Sequence, residues 1–251
     1  MKYINIGSGE NSRKIAIEKT DGNTPGFFWL GGFKSTMDGS KARALARMGE
    51  ELGVGVTRFD YSGHGESSGD FVNGIISDWL EEAVAVFEQT HGEQIVIGSS
   101  MGAWLALLLN QRLKNQQRIK SLLLIAPATD MTNDLMLAKF GGAERAALET
   151  KGFIEQPSDY DEPYIITKKL LDDGAKHSVF GTPIQTRCPV HILHGGKDSA
   201  VPTSHALKLV SHILLDPVFF TLVPDGDHSL SRPQDLALLK STLVRIMSDE
   251  A

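Results

Sequence analysis

The 251-residue chain has a single cysteine, Cys188, so it cannot close a disulfide within itself. That absence suits a reducing compartment, and a cytoplasmic location is expected. Cys188 precedes Pro189 and a strand-like run and has no histidine paired with it at a recognisable turn, which makes it a packing residue rather than a nucleophile. Cations are also short: 25 Lys and Arg face 31 Asp and Glu, a net charge of -6. No basic footprint for nucleic acid or for an anionic membrane surface is therefore present. No apolar run approaches the length of a membrane span. Met1 to Glu10 carries neither an apolar h-region nor an arginine-rich amphipathic pattern, so no targeting peptide is legible there. Internal repeats, low-complexity tracts and interdomain linkers are missing too. A chain of this length suits one large α/β domain, 1–251, and is too short for two average domains with a linker.

What is present is an alternation of short apolar, β-branched runs with longer helical patterns, the signature of βαβ units and a mostly parallel sheet. Eight strands are expected, at Tyr3–Ile6, Arg13–Glu18, Gly26–Leu30, Val54–Phe59, Gln94–Ile97, Ser121–Ile125, Val190–Leu193 and Val218–Leu222. The first two alternate polar and apolar residues around Gly7, Ser8 and Gly9, as an antiparallel edge hairpin would. The later ones are apolar throughout, as strands covered on both faces must be. Helices are expected at Gly39–Leu52, Ser77–Gln89, Ala103–Gln116, Thr203–His212 and Pro233–Met247, with Ser77 and Pro233 as helix starts. Between Asp130 and Thr186 the alternation stops. No strand-like run is visible there, only helical segments at Asp134–Phe140, Ala143–Thr150 and Pro163–Asp173, which predicts a helical cap inserted over 130–186.

The chemistry starts at Gly98-Ser99-Ser100-Met101-Gly102, between an expected strand and an expected helix. In a Gly-x-Ser-x-Gly turn of this kind the serine takes a strained backbone geometry that exposes its hydroxyl at the carboxyl edge of the sheet, at a helix N-terminus that favours developing negative charge. Only Ser100 has glycines two residues away on both sides, so Ser100 is the expected nucleophile and Ser99 a filler. A serine hydroxyl needs a base held in the right tautomer by a carboxylate. Asp198, in His194-Gly195-Gly196-Lys197-Asp198, and His228, in Pro224-Asp225-Gly226-Asp227-His228, each follow an expected strand and keep the order nucleophile, acid, histidine. Asp130 is the second choice of acid. Asp225 and Asp227 read as turn formers, His191 and His194 as packed on a buried strand, and His91, His177, His205 and His212 as surface or cap residues. His64, in Asp60-Tyr61-Ser62-Gly63-His64-Gly65, reads as holding its own loop. The oxyanion donors are expected from the backbone N–H groups of Met101 and, after the Gly31-Gly32 turn, of Phe33. Phe33, Trp104, Tyr160 and Tyr164 are candidate pocket residues.

With these residues in place the chain resembles the α/β-hydrolase superfamily, in its serine aminopeptidase-like (S33) branch, over nearly its whole length. The resemblance rests on Gly32-Phe33-Lys34-Ser35 with Met37, Gly39 and Lys41; on Arg58 to Gly63 with Gly65, Ser67 and Gly69; on Gly98 to Gly102 with Trp104; and on Cys188 to Leu193 with Gly195, Lys197, Asp198, Val201 and Pro202. Within the branch it is similar to a group of acyl-protein thioesterases and acyl-glucuronide esterases and their bacterial relatives. The resemblance implies an eight-stranded, mostly parallel sheet with helices on both faces and a small helical cap. It implies a serine esterase or thioesterase with Ser100, Asp198 and His228 as triad and no metal or organic cofactor. The implied substrate is a small-molecule or acyl-protein ester or thioester. Gly31 departs from the histidine that many members carry before the glycine, and the acidic site that an aminopeptidase needs for its substrate's amine is not evident.

Overall fold

The computed structural model describes residues 1–156 and 164–248. Its strands are β1 (Lys2–Ile6), β2 (Arg13–Thr20), β3 (Asn23–Leu30), β4 (Val54–Phe59), β5 (Gln94–Ser99), β6 (Ile119–Ile125), β7 (Phe153–Gln156), β8 (Tyr164–Thr167), β9 (Val190–Gly195) and β10 (Val218–Val223). Eight of them form one sheet in the order β1-β2-β4-β3-β5-β6-β9-β10. β1 and β2 make the expected antiparallel hairpin, β2 is also antiparallel to β4, and every other neighbouring pair is parallel. The eight strands expected from sequence are all in this sheet.

The helices are α1 (Ser40–Leu52), α2 (Ile76–Phe87), α3 (Met101–Arg112), α4 (Gly142–Lys151), α5 (Lys168–Gly174), α6 (Thr203–His212) and α7 (Pro233–Met247). Successive side chains of a strand point to opposite faces. Phe28, Leu30, Val96, Leu122, Leu124 and Ile192 therefore share one core with α2 and α3, while Phe27, Trp29, Ile95, Ile97, Leu123 and Ile125 share another with α1 and α7. Both cores being apolar is why the central strands show no polar alternation. α3 is buried along its length from Met101 to Asn110, so it has no amphipathic face.

The segment between β6 and β9 departs from expectation. α4 and α5 match two of its helices, and a short π turn with a 3-10 turn covers Thr132–Lys139. The absence of a strand there is corrected, however: β7 and β8 pair as an antiparallel ribbon with Phe153 opposite Thr167 and Gln156 opposite Tyr164. Tyr164 to Thr167 thus belong to a strand rather than to the start of a helix over 163–173. The segment is tied to the body through Asp173, whose buried carboxylate accepts the Ser77 N–H at 2.8 Å and the Ser77 hydroxyl at 2.9 Å. α2 begins at Ile76, so Ser77 does not cap its own helix. Its N–H is one of the unpaired groups of the first turn and is satisfied from across the fold.

Candidate active site

Ser100 lies between β5 and α3 with φ 55° and ψ -117°, a region that residues with a side chain rarely occupy. Three backbone bonds hold it there. The Ser100 N–H donates to Ile125 O at 2.9 Å, and Ser100 O accepts the N–H groups of Ala103 and Ala128 at 3.0 and 3.2 Å. The flanking glycines are required by close approach. A Cβ on Gly98 would stand 2.3 Å from Gly102 O, and one on Gly102 would stand 2.0 Å from Leu30 O and 2.6 Å from Gly31 O.

The ends of β9 and β10 bring the remaining polar groups to Ser100. His228 Nε2 lies 3.0 Å from Ser100 Oγ, and His228 Nδ1 lies 2.7 Å from Asp198 Oδ2. The other carboxylate oxygen of Asp198 accepts the N–H groups of Ala200 and Val201 at 2.9 and 2.8 Å. Burial pushes the Asp198 carboxyl up, but the hydrogen bonds from His228 and Val201 outweigh it and hold the group below its ordinary value. Asp198 is therefore an anion, which accepts Nδ1–H and leaves Nε2 free to take a proton from Ser100 Oγ. Lys41, in the first turn of α1, donates from Nζ to Ser229 O and ties that helix to the loop carrying His228. Burial lowers the Lys41 ammonium to about 8 despite the nearby Asp227 and Asp235.

Two cavities meet at Ser100, and Phe33, Tyr164 and His228 line both. One, of about 570 Å³, is polar, with Ser35, Ser40, Lys41, Lys197, Ser199, Asp227, Ser229 and Ser231 in its wall. The other, of about 270 Å³, is walled by Met131, Leu135, Met136, Phe140, Ile166 and Val201. These apolar residues were missed from sequence, although Met131, Leu135 and Met136 stand at helical spacing in the segment after β6. Gly32 comes within contact of Ser100, a Cβ there meeting Ser99 O at 3.2 Å, so the turn bearing Phe33 borders the serine. Met101 is the first residue of α3, where an N–H has no acceptor within the helix.

Other sequence-based expectations are corrected or relocated. Trp104 is not a pocket residue: it is fully buried in the core with its indole N–H donating to His177 O at 3.2 Å, and it lines neither cavity. Tyr160 lies outside the described residues. Asp130 is far from serving His228, because its carboxylate accepts the Val179 N–H at 3.0 Å and also bonds the Ser178 hydroxyl and the Phe180 N–H. His205 is buried rather than superficial and donates from Nε2 to Thr129 O at 2.8 Å. Asp227 accepts the Leu230 N–H and Asp225 pairs with Arg232, turn roles as expected. Among the described residues no group of three or more His, Cys, Asp and Glu side chains could hold a metal ion, and no helix is long and apolar enough to cross a membrane.

Residues 24–237 match the alpha/beta hydrolase family. The chain belongs to that family. The resemblance read from the sequence is borne out by relatives of two kinds. A protein from Agrobacterium vitis S4 described as a hydrolase has a crystal structure that superimposes with a TM-score of 0.95 at 45% identity, covering 98% of this chain and 97% of that one. The structure of mouse alpha/beta hydrolase domain-containing protein 10 superimposes with a TM-score of 0.88 at 28% identity over the full length of both chains. The curated palmitoyl-protein thioesterase ABHD10 of Pongo abelii is 30% identical over 235 residues, 91% of this chain and 75% of its own. Its name places that relative in mitochondria. The relatives it is similar to thus include proteins named as a hydrolase and as a thioesterase.

Proposed function

We propose that this hydrolase cleaves carboxylic ester or thioester bonds through an acyl-enzyme on Ser100. The observation that carries the reading is the unbroken hydrogen-bond path from Ser100 Oγ through the His228 ring to Asp198. As the hydroxyl attacks a carbonyl carbon, its proton passes to Nε2, and the imidazolium so formed is stabilised by the Asp198 carboxylate. The carbonyl oxygen becomes an oxyanion and is met by the Phe33 and Met101 N–H groups, with the positive end of α3 behind them. The His228 imidazolium returns the proton to the leaving oxygen or sulfur. A water then repeats the sequence on the acyl-serine, with His228 as base, and releases the acid. No metal or organic cofactor enters any step.

The two cavities supply an orientation. An acyl chain gains about 0.8 kcal/mol for each methylene removed from water, which favours the slot of Met131, Leu135, Met136, Phe140 and Ile166 for the acyl group. The serine- and lysine-lined cavity then receives the leaving group. In this reading the 130–186 segment is the cap of a single domain and sets acyl preference. The thioesterase name of the curated relatives supports inclusion of thioesters. A panel of p-nitrophenyl esters of increasing chain length, acyl thioesters, acyl glucuronides and aminoacyl amides tests it. Turnover confined to esters and thioesters, and lost in Ser100→Ala, is expected. Preferred amide cleavage, or an absence of turnover across the panel, would contradict it.

A further inference from the structure

We infer that His64 is a positioning residue for the oxyanion turn, acting through the backbone of Lys34. The inference rests on the proposed role of Phe33 N–H as an oxyanion donor. Gly32 to Ser35 form a β-turn closed by the Ser35 N–H donating to Gly32 O at 3.0 Å. Its second central residue, Lys34, has φ 58°, the left-handed value that a type II turn demands and that glycine or asparagine ordinarily supplies. A lysine there favours the alternative type I turn, in which the central peptide between Phe33 and Lys34 is flipped over. Something must hold that peptide against the side chain's own preference.

His64 does so. Its Nδ1 lies 3.1 Å from Ser62 O, and because a carbonyl only accepts, Nδ1 carries the proton. Nε2 is then a lone pair, and it accepts the Lys34 N–H at 3.2 Å. A flipped peptide would turn the Phe33 carbonyl toward that lone pair, acceptor against acceptor. The ring itself cannot swing aside. It is buried, with edge-on contacts to Tyr61, Phe71 and Trp79 at centroid distances of 5.7, 5.1 and 5.3 Å. Ser62 is fixed in turn, its carbonyl accepting the Trp79 indole N–H at 3.1 Å and its N–H donating to Glu82 Oε2 at 2.9 Å. Burial also keeps the imidazole neutral by lowering its affinity for a proton. The neighbouring Asp60 carboxylate clamps the same turn further on, accepting the Met37 N–H at 2.6 Å. The loop after β4 therefore fixes the peptide plane that follows Phe33, and so holds the turn from which the proposed donor, on the preceding peptide, projects.

The test is a double-mutant cycle between position 64 and Lys34→Gly. His64→Asn keeps a donor for Ser62 O but is too short to reach Lys34, whereas His64→Gln places an amide oxygen near the position of Nε2. Expected for folded His64→Asn are a KM within about threefold of wild type, a kcat lower by about 10- to 100-fold, and an equal slowing of fluorophosphonate labelling. His64→Gln should recover most of the rate. In the Lys34→Gly background, where the turn needs no holding, His64→Asn should change kcat by less than about threefold. The cycle is repeated with His64→Leu so that a folding defect in one variant does not decide the outcome. Folded variants with wild-type kcat, or a loss undiminished by Lys34→Gly and unrelieved by Gln, would overturn the inference. Ser100→Ala is run alongside. If it retains turnover, the serine reading itself fails; if it is inactive while His64→Asn is fully active, only the role of His64 falls.

Discussion

Replacing Asp198 by asparagine changes one atom and should nearly abolish turnover, for a reason visible in the hydrogen bonds around the carboxylate. One oxygen accepts two backbone N–H groups, from Ala200 and Val201, at 2.9 and 2.8 Å, and the other faces His228 Nδ1 at 2.7 Å. An asparagine must keep its carbonyl oxygen toward the two N–H donors, since an NH2 group there would oppose both. The NH2 then takes the place of the oxygen facing Nδ1 and forces Nδ1 to accept. The proton moves to Nε2, where it confronts Ser100 Oγ, and the base is lost without a change of shape. Locking this tautomer in a serine triad costs about 10⁴-fold in kcat, which corresponds to about 5.4 kcal/mol of barrier. Initial rates on a p-nitrophenyl ester, with melting temperature as the control for folding, measure it. A folded Asp198→Asn variant that keeps more than about a tenth of wild-type kcat would refute the tautomer argument.

Other outcomes follow from the same geometry. Gly102→Ala drives a Cβ to 2.0 Å from Leu30 O, so α3 must move away from β3; soluble yield and melting temperature should both collapse, and a variant melting with wild type would show the approach to be slack. Leu135→Trp fills the apolar slot, and excluding about four methylenes at about 0.8 kcal/mol each should lower kcat/KM for an octanoyl ester roughly two-hundredfold while sparing the acetyl ester; an equal effect on both would place the acyl chain elsewhere. Glu82, buried on α2, has its carboxyl pushed up by burial to about 7 from an ordinary 4.5. The folded state thus binds more protons than the unfolded one between those pH values, and stability falls as pH rises across the window, by at most about 1.4 kcal/mol per unit. Urea melts at pH 5 and 7.5 should show this slope in wild type and a smaller one in Glu82→Gln, whose amide oxygen still accepts the Ser62 N–H; equal slopes would contradict it.

The sheet was legible because its central strands are covered on both sides, which makes runs such as Ile95-Val96-Ile97 and Leu122-Leu123-Leu124 apolar without interruption. Gly98 to Gly102 stood out because close backbone approach leaves no room for side chains there. The ribbon of β7 and β8 was not legible. Each strand has four residues, too few for a period to register, and Tyr164 to Thr167 run straight into α5, so that Ile166, Leu170 and Leu171 fall at helical spacing. Trp104 was misjudged for a related reason. A helix buried on all sides gives no polar face from which to tell the pocket side from the core side, and the indole proved to lie beneath His177. The depth of His205 and the anchoring by Asp130 depend on contacts with distant segments, and no local pattern encodes these. The pairing of His64 with Lys34, 30 residues apart, is of the same kind.

The central claim is that an acyl group passes through Ser100. Rapid mixing with a slowly deacylating ester, acid quench and intact-mass measurement followed by peptide mapping tests it most directly. The account predicts a mass increase equal to the acyl group, located on Ser100 and absent in Ser100→Ala. Turnover with the adduct on another residue, or undiminished turnover in Ser100→Ala, would contradict it.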